Sequence, residues 1–277
     1  MKSFEIPYSS TNQFSKLVID YLNEDLELKS FISHFPSLEN LEKQIVEKQN
    51  HKINRTILVE VLRKQNSNLS LSEQSRRNIK SLLSENTFSI TTGHQLCLFT
   101  GPLYFIYKII SSLNLSEKLK EKYPKKDFIP IFWMATEDHD LQEVNHINLF
   151  GEKIEWDSKQ SGPVGQMKLK GIKKVLDELK VTLGESKNAQ QLIQLFENAY
   201  LKHSSLADAT RYLVNELFGK YGLLIIDGDD KCLKEQFLQI IQKDILQNGF
   251  VKSIQECSNQ LVKNYKVQAH VRDVNFF

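Results

Sequence analysis

The sequence predicts an α/β fold, a parallel sheet with helices on both faces, and three stretches carry that prediction. Thr87-Phe88-Ser89-Ile90-Thr91 has the β-branched and aromatic enrichment of a strand. It runs into a sharp turn over Thr91 to Pro102 that carries His94 and Gln95, and Pro102 then opens a helix. Asp127 to Ala135 is a near-continuous apolar run, the pattern of a strand buried on both faces after a crossover helix. Leu223-Leu224-Ile225-Ile226 repeats that pattern and ends abruptly in Asp227-Gly228-Asp229-Asp230.

Taken in order, residues 1–86 form a helical N-terminal region, with amphipathic helices at 11–22, 37–50, 51–65 and 71–85, the last carrying a capping-box pair in Ser70 and Glu73. Residues 87–145 hold the first part of the α/β core. In its helix Leu103, Ile106, Ile110 and Leu113 share one face, while Tyr104 and Lys108, four apart, share an adjoining one. The segment 146–204 reads as an insertion: short strands at 147–151 and 153–157, the loop Gly162-Pro163-Val164-Gly165, then helices at 171–181 and 188–202. Residues 205–277 return to the core with a helix at 205–220 that closes at Gly219 and Gly222, the third apolar strand, two more helices and a strand at 266–271. The last residues, Val274-Asn275-Phe276-Phe277, have no polar tail, as in a chain cut before its next element.

Composition narrows the class. A 277-residue chain with 40% hydrophobic residues builds a substantial core, and a net charge of +2 supplies no field that would steer it onto nucleic acid or an anionic membrane. The lysines at 118, 120, 122, 125 and 126 read as a solvated helix face. The N-terminus lacks an apolar signal core and the longest apolar run is far short of the roughly 20 residues of a membrane helix, so the expected location is the cytoplasm. Cys97, Cys232 and Cys257 have neither disulfide-framework nor zinc-knuckle spacing.

The chemistry gathers where strands end. A parallel sheet places the carboxyl ends of its strands on one edge, where ligands of such folds bind. Here those ends carry Gly93-His94-Gln95, then Glu137-Asp138-His139-Asp140 with Glu143 and His146 close behind, then Asp227, Asp229 and Asp230. Backbone N–H groups at the helix following His94 favour an anion such as phosphate. Hard oxygen donors in the acidic clusters suit a magnesium ion carried with a nucleotide, whereas no HExxH or comparable spacing supports zinc.

The ordered set Thr92-Gly93-His94-Gln95, Leu98-Phe99-Thr100-Gly101-Pro102-Leu103-Tyr104 with Tyr107-Lys108, Phe132-Trp133-Met134-Ala135 leading to Glu137-Asp138-His139-Asp140 and Glu143-Val144-Asn145-His146, and Gly222-Leu223-Leu224 before Asp227 resembles the bacillithiol biosynthesis cysteine-adding enzymes. The resemblance implies a Rossmann-like core related to nucleotidyltransferases, with Thr92-Gly93-His94-Gln95 where synthetases carry their histidine-glycine-histidine signature. It also implies a missing C-terminal half containing a coiled coil, and a homodimer in the full-length protein. The implied reaction is ligation of cysteine to the amine of glucosaminyl malate with ATP as co-substrate, magnesium as its companion and no zinc.

In that reading His94, Asp138, His139 and Asp140 are the catalytic candidates. Thr92, Gly93, Gln95, Gly101, Tyr104, Lys108, Trp133, Glu137, Asn145, His146, Asp227 and Asp229 are the candidates for nucleotide and substrate binding. Two rivals come from other classes: a metal-dependent hydrolase built on Asp138, His139, Asp140 and His146, and a ligand-binding protein of the same pathway without turnover.

Overall fold

The computed structural model describes residues 4–274, which form two compact units: the described residues up to 52 together with those from 236 onward, and residues 53–235. The first unit begins with α1 (Lys16–Leu22) and α2 (Leu38–Gln49), capped by the hydroxyls of Ser15 and Ser37.

The second unit holds the sheet. It opens with α3 (Arg55–Gln65) and α4 (Glu73–Ser81), followed by β1 (Thr87–His94), α5 (Leu103–Lys122) and β2 (Asp127–Met134). The short α6 (Leu141–Val144) leads to the hairpin β3 (His146–Leu149) and β4 (Glu152–Glu155), and then come α7 (Ile172–Leu183), α8 (Lys187–Leu201), α9 (Leu206–Phe218), β5 (Leu224–Asp227) and α10 (Lys231–Glu235). The first unit resumes with α11 (Leu238–Gln247) and α12 (Val251–Leu261). Among the described residues no helix is long and apolar enough to cross a membrane.

β1, β2 and β5 form a parallel sheet in the order β1-β2-β5, and the register aligns His94 with Met134 and Met134 with Asp227. Alternation sends Ile129, Ile131, Leu224 and Ile226 to one face, under Val59 and Leu62 of α3 and Ile79 of α4. Phe132, Met134 and Ile225 go to the other, under Phe105 and Ile109 of α5 and Leu213 and Val214 of α9. Pro130 has no N–H to give, and the pairing of β2 with β5 begins one residue later, at Ile131.

The insertion helices share that second core. Trp156, Val164, Ile172, Phe196 and Tyr200 are buried in the same cluster as Phe132 and Met134, so the insertion is a wall of the sheet's core.

Several expectations are corrected. β1 runs through Gly93 to His94, so these are strand residues and the bend lies at 95–101. The buried stripe of α5 is Phe105, Ile109, Ser112, Ser116 and Leu119. The expected stripe lies to its side, with Leu103 61% exposed, because the sheet takes the bulkier Phe105 face. Ser112 and Ser116 satisfy their buried hydroxyls on the carbonyls of Ile109 and Ser112.

The cap of α4 is Ser72, which accepts from Ser75 N–H, rather than Ser70. Phe150 and Gly151, at φ 52° and 87°, make the two-residue hairpin turn, which ends β3 at Leu149, earlier than expected. Among the lysines read as a solvated face, Lys120 is exposed and also reaches the Lys126 carbonyl and the Asp127 carboxylate, tying the end of α5 to the start of β2. Residues 266–271 form no strand: the described residues of their unit contain no other strand to pair with, and an isolated strand leaves its backbone groups unpaired. The expectation of a truncated end rests on residues 275–277, which lie outside the described residues.

The connection from β1 to α5 is the most constrained backbone of the molecule. Phe99, Thr100 and Gly101 have φ of 53°, 75° and 57° in succession. Gly101, with ψ −134°, occupies a region open only to glycine, and a Cβ there would lie 2.4 Å from Cys97 Cβ. The Phe99 N–H donates to the buried Tyr200 hydroxyl at 2.9 Å, while its ring packs on Phe196 and Tyr200. Tyr200→Phe keeps the packing and orphans that N–H. The expected loss is about 1–3 kcal/mol, read in urea denaturation.

Candidate functional site

The register brings the polar residues after the three strands to one edge, and side chains stitch that edge together. Gln95, just past β1, donates its amide to Asp138 Oδ2 at 2.7 Å and also to Glu143 Oε2, joining the loops after β1 and β2. Thr136 donates its hydroxyl to Asp227 Oδ1, joining β2 to β5. The loop 162–165 clamps this junction from the insertion: Val164 N–H donates to the Asp138 carbonyl at 2.7 Å and Gly165 N–H to the Thr136 carbonyl at 3.0 Å. A Cβ on Gly165 would meet Thr136 Cβ at 2.6 Å, so this close approach requires glycine.

His94 stands at the mouth of the core with its ring against Phe105 and Tyr104, centroids 5.3 and 6.2 Å away. Its Nδ1 lies 3.1 Å from the Gln95 carbonyl, which can only accept, so Nδ1 carries the proton and Nε2 the lone pair of the neutral ring. Burial lowers its pKa against that hydrogen bond, and nearby Lys108 lowers it further, which favours the neutral ring. Lys108 itself lies over the Tyr104 ring, 5.2 Å from its centroid. Burial pushes the neighbouring Cys97 thiol up to about 11, which keeps it protonated and unreactive.

The acidic residues have separate tasks. Burial works to raise the pKa of Asp138, but N–H donation from Asp140 and the Gln95 amide outweigh it and hold the carboxyl below the usual range. Asp140 caps α6, accepting from Gln142 and Glu143 N–H groups, so one oxygen of this catalytic candidate is committed to the helix.

Asn145, a binding candidate, is a buried stitch that donates to Glu155 and to the Trp156 carbonyl, and His146 Nδ1 turns to Asn145 Oδ1. Asp227 is fully engaged: beyond Thr136 it takes Asp229 N–H at 3.0 Å and Arg211 Nη2 at 3.1 Å. Asp229 is paired with Lys234 and Gln166, which hold its pKa down against burial. His139 lines an open polar groove of about 1180 Å³ that runs from Asp138 to Lys159. An apolar cavity of about 760 Å³ between α4, α5 and Tyr221 reaches Phe128 and Pro130, near the opposite end of the strands, and is apart from this chemistry.

Trp133 lies on the other face of the sheet, 38% exposed, with Gly93 beside it and Gly228 so close that a Cβ there would meet its ring at 2.2 Å. Thr92 lines a groove with Tyr104 and Lys108. Among the described residues no three histidine, cysteine, aspartate or glutamate side chains converge to hold a metal ion, so the metal-hydrolase arrangement of Asp138, His139, Asp140 and His146 is not assembled.

Sequence reasoning missed Arg211, Thr136, Gln65, Gln166 and Lys234. Arg211 had a signal: it falls four residues after Ala207 and three before Val214, on the buried stripe of α9, where an unpaired charge is costly. The partners in Gln65 and Gln166 are set by tertiary approach alone.

With this geometry, the whole chain, residues 1–277, matches the family described as bacillithiol biosynthesis BshC, N-terminal Rossmann-like domain. The chain belongs to this family. It is 50% identical over 276 residues to a protein of Flavobacterium johnsoniae, covering 98% of this chain and 52% of that protein. It is 40% identical to one of Cytophaga hutchinsonii, covering 99% and 51%, and 29% identical to one of Bacillus anthracis, covering 82% and 44%. All three are named "Putative cysteine ligase BshC". The chain thus spans about half the length of the curated relatives it matches.

Two outcomes follow for the acidic edge. Arg211→Met leaves the Asp227 carboxylate without its cation and is expected to cost roughly 3 kcal/mol in urea denaturation, most of it regained in the Arg211→Met/Asp227→Leu double variant. Asp138 and Asp229 both have lowered folded pKa values, so their stabilisation is complete above the unfolded value of about 3.9 and is lost as pH falls through the folded values. Asp229→Asn is therefore expected to flatten the acid limb of Tm against pH below about pH 4, leaving the slope above pH 6 unchanged.

Proposed function

We propose that this chain is the nucleotide-binding half of a bacillithiol-pathway ligase that joins the carboxylate of cysteine to the amine of glucosaminyl malate after activation by ATP. Family membership supports the reaction class. The observation that carries the site is the stitched carboxyl edge, where a neutral imidazole, the Gln95 amide and the Asp138 carboxylate lie on adjacent strand ends.

Amide formation from a free carboxylate is uphill in water, so the carboxylate is first activated as an acyl-adenylate or acyl-phosphate. The first N–H groups of α5, which receive no side-chain cap, face this edge with Lys108 one turn further along, and together they take the phosphate charge. A magnesium ion carried with the nucleotide requires only one or two protein carboxylates, and Glu143, turned to Gln95, would be its hard donor on this edge.

The lowered pKa of Asp138 makes it a poor base and a good partner for the cysteine ammonium. His94, neutral with its lone pair at Nε2, is the better acceptor for the proton that the attacking amine releases as the C–N bond forms and the activating group departs.

The test incubates the full-length protein with ATP, cysteine and glucosaminyl malate and follows product by mass spectrometry. The thiol product is expected only with ATP, and AMP or ADP identifies the bond cleaved. His94→Ala is expected to lower kcat about 100-fold, and Asp138→Asn to raise KM for cysteine roughly tenfold. Product formed without ATP would refute the activation step.

A further inference from the structure

Trp133 stands at the end of the central strand, and none of the side-chain stitches at the carboxyl edge involves it. The register sets it between Gly93 of β1 and Ile226 of β5, so the three share one face of the sheet, opposite to that of His94 and Asp227. A tryptophan on a central strand is ordinarily covered, yet this one is 38% exposed, whereas Trp156 is 1% exposed. The Trp156 indole N–H donates to the Lys170 carbonyl, while that of Trp133 finds no acceptor among the described residues.

Both flanks of the ring are glycine, although the chain has only 11 glycines in 277 residues. The two positions have different causes. At Gly228 the protein itself demands glycine: a Cβ there would lie 2.2 Å from Cζ2 of the indole, which reaches over this backbone. At Gly93 nothing within the protein does. Its φ is not positive, the pairing of β1 with β2 runs through it without a bulge, and a Cβ would make only ordinary contacts with Trp133, at 3.4 Å and beyond. Glycine weakens a strand, and where neither a bulge nor an internal contact accounts for it, it marks the close approach of a ligand. The bare position adjoins His94, whose ring packs on Phe105 near the start of α5.

We propose that the open face of Trp133 is a stacking platform for the purine ring of the nucleotide, with Gly93 left bare so that the molecule crosses the end of β1 from phosphates held at the start of α5. The proposal rests on the reading of this chain as nucleotide-binding and adds where the base sits. The crossing is short, since neighbouring strands lie about 4.8 Å apart. Stacking needs a flat apolar face rather than converging donors, which is what Trp133 offers. Tyr104, also exposed near this edge, has the Lys108 ammonium over its ring at 5.2 Å, an arrangement suited to the phosphate end.

Equilibrium dialysis of the full-length protein against ATP, and separately against inorganic tripolyphosphate, tests it. Trp133→Leu is expected to weaken ATP at least about fivefold and to leave tripolyphosphate within about twofold, with Trp133→Phe restoring most of the ATP affinity. Gly93→Ala is expected to weaken ATP as well while Tm stays the same or rises, because the added Cβ has room within the protein and none beside the base. ATP is also expected to quench a part of the tryptophan emission that Trp133→Phe removes. If Trp133→Leu does not fold, that quenching decides: its absence from the unsubstituted protein overturns the platform. ATP bound equally by the unsubstituted protein and Trp133→Leu overturns the platform and leaves the nucleotide reading standing, whereas no binding of ATP to the unsubstituted protein overturns both. Equal weakening of ATP and tripolyphosphate also overturns it, as does a loss in Trp133→Leu of affinity for glucosaminyl malate in place of ATP, which would assign the platform to a sugar ring.

Discussion

The parallel ladder that sets His94 beside Met134 and Met134 beside Asp227 is the constraint on which the rest of the molecule depends. Parallel pairing sends every strand end to one edge, and this register ends all three at the same level. The stitches follow from it: Gln95 reaches Asp138 and Thr136 reaches Asp227 because neighbouring strand ends are held within side-chain range. A shift of one residue would turn Phe132 and Met134 out of the core on the α5 face and bring Trp133 in. Packing and site geometry are therefore specified by the same pairing.

That edge is rich in carboxylates and yet is not a bare acidic patch. Asp227 has Arg211, Asp229 has Lys234 and Gln166, Asp138 has Gln95, and Asp140 caps a helix. Cation pairing of Asp227 and Asp229 and the capping role of Asp140 remove those charges from competition for ligand, and the chemistry contracts toward Asp138, Glu143 and His94. The neutrality of His94 follows from the same crowding: its ring is buried against Phe105 with Lys108 nearby, and both disfavour a second cation.

The sequence made the sheet legible because β2 and β5 are apolar runs, β1 is rich in β-branched residues, and all three end in polar residues. Burial under helices leaves no choice at Phe132 or Ile225. Side selection on α5 was not legible, because the helix is apolar on more than one face and only the sheet decides that Phe105 rather than Ile106 faces inward. The roles of Asp140 and Asn145 were hidden for a related reason: a residue suited to a ligand is equally suited to a cap or a stitch, and the choice depends on which N–H groups the fold brings near. Residues 266–271 show the converse, a strand pattern with no edge to pair with among the described residues of its unit.

The insertion, which reads as an appendage in sequence, controls the site from behind. Three consecutive residues with positive φ between β1 and α5 are costly to hold, on the order of 1–3 kcal/mol for each that is not glycine. What over-determines them comes from α8: the Tyr200 hydroxyl fixes the Phe99 N–H, and Phe196 and Tyr200 hold its ring. The same insertion sends Val164 and Gly165 to clamp the loop after β2. The start of α5 and the backbone at Asp138 are thus both held by residues of the insertion. Substitutions in α8 that preserve the fold should act on the site through the angle at which α5 leaves the sheet edge.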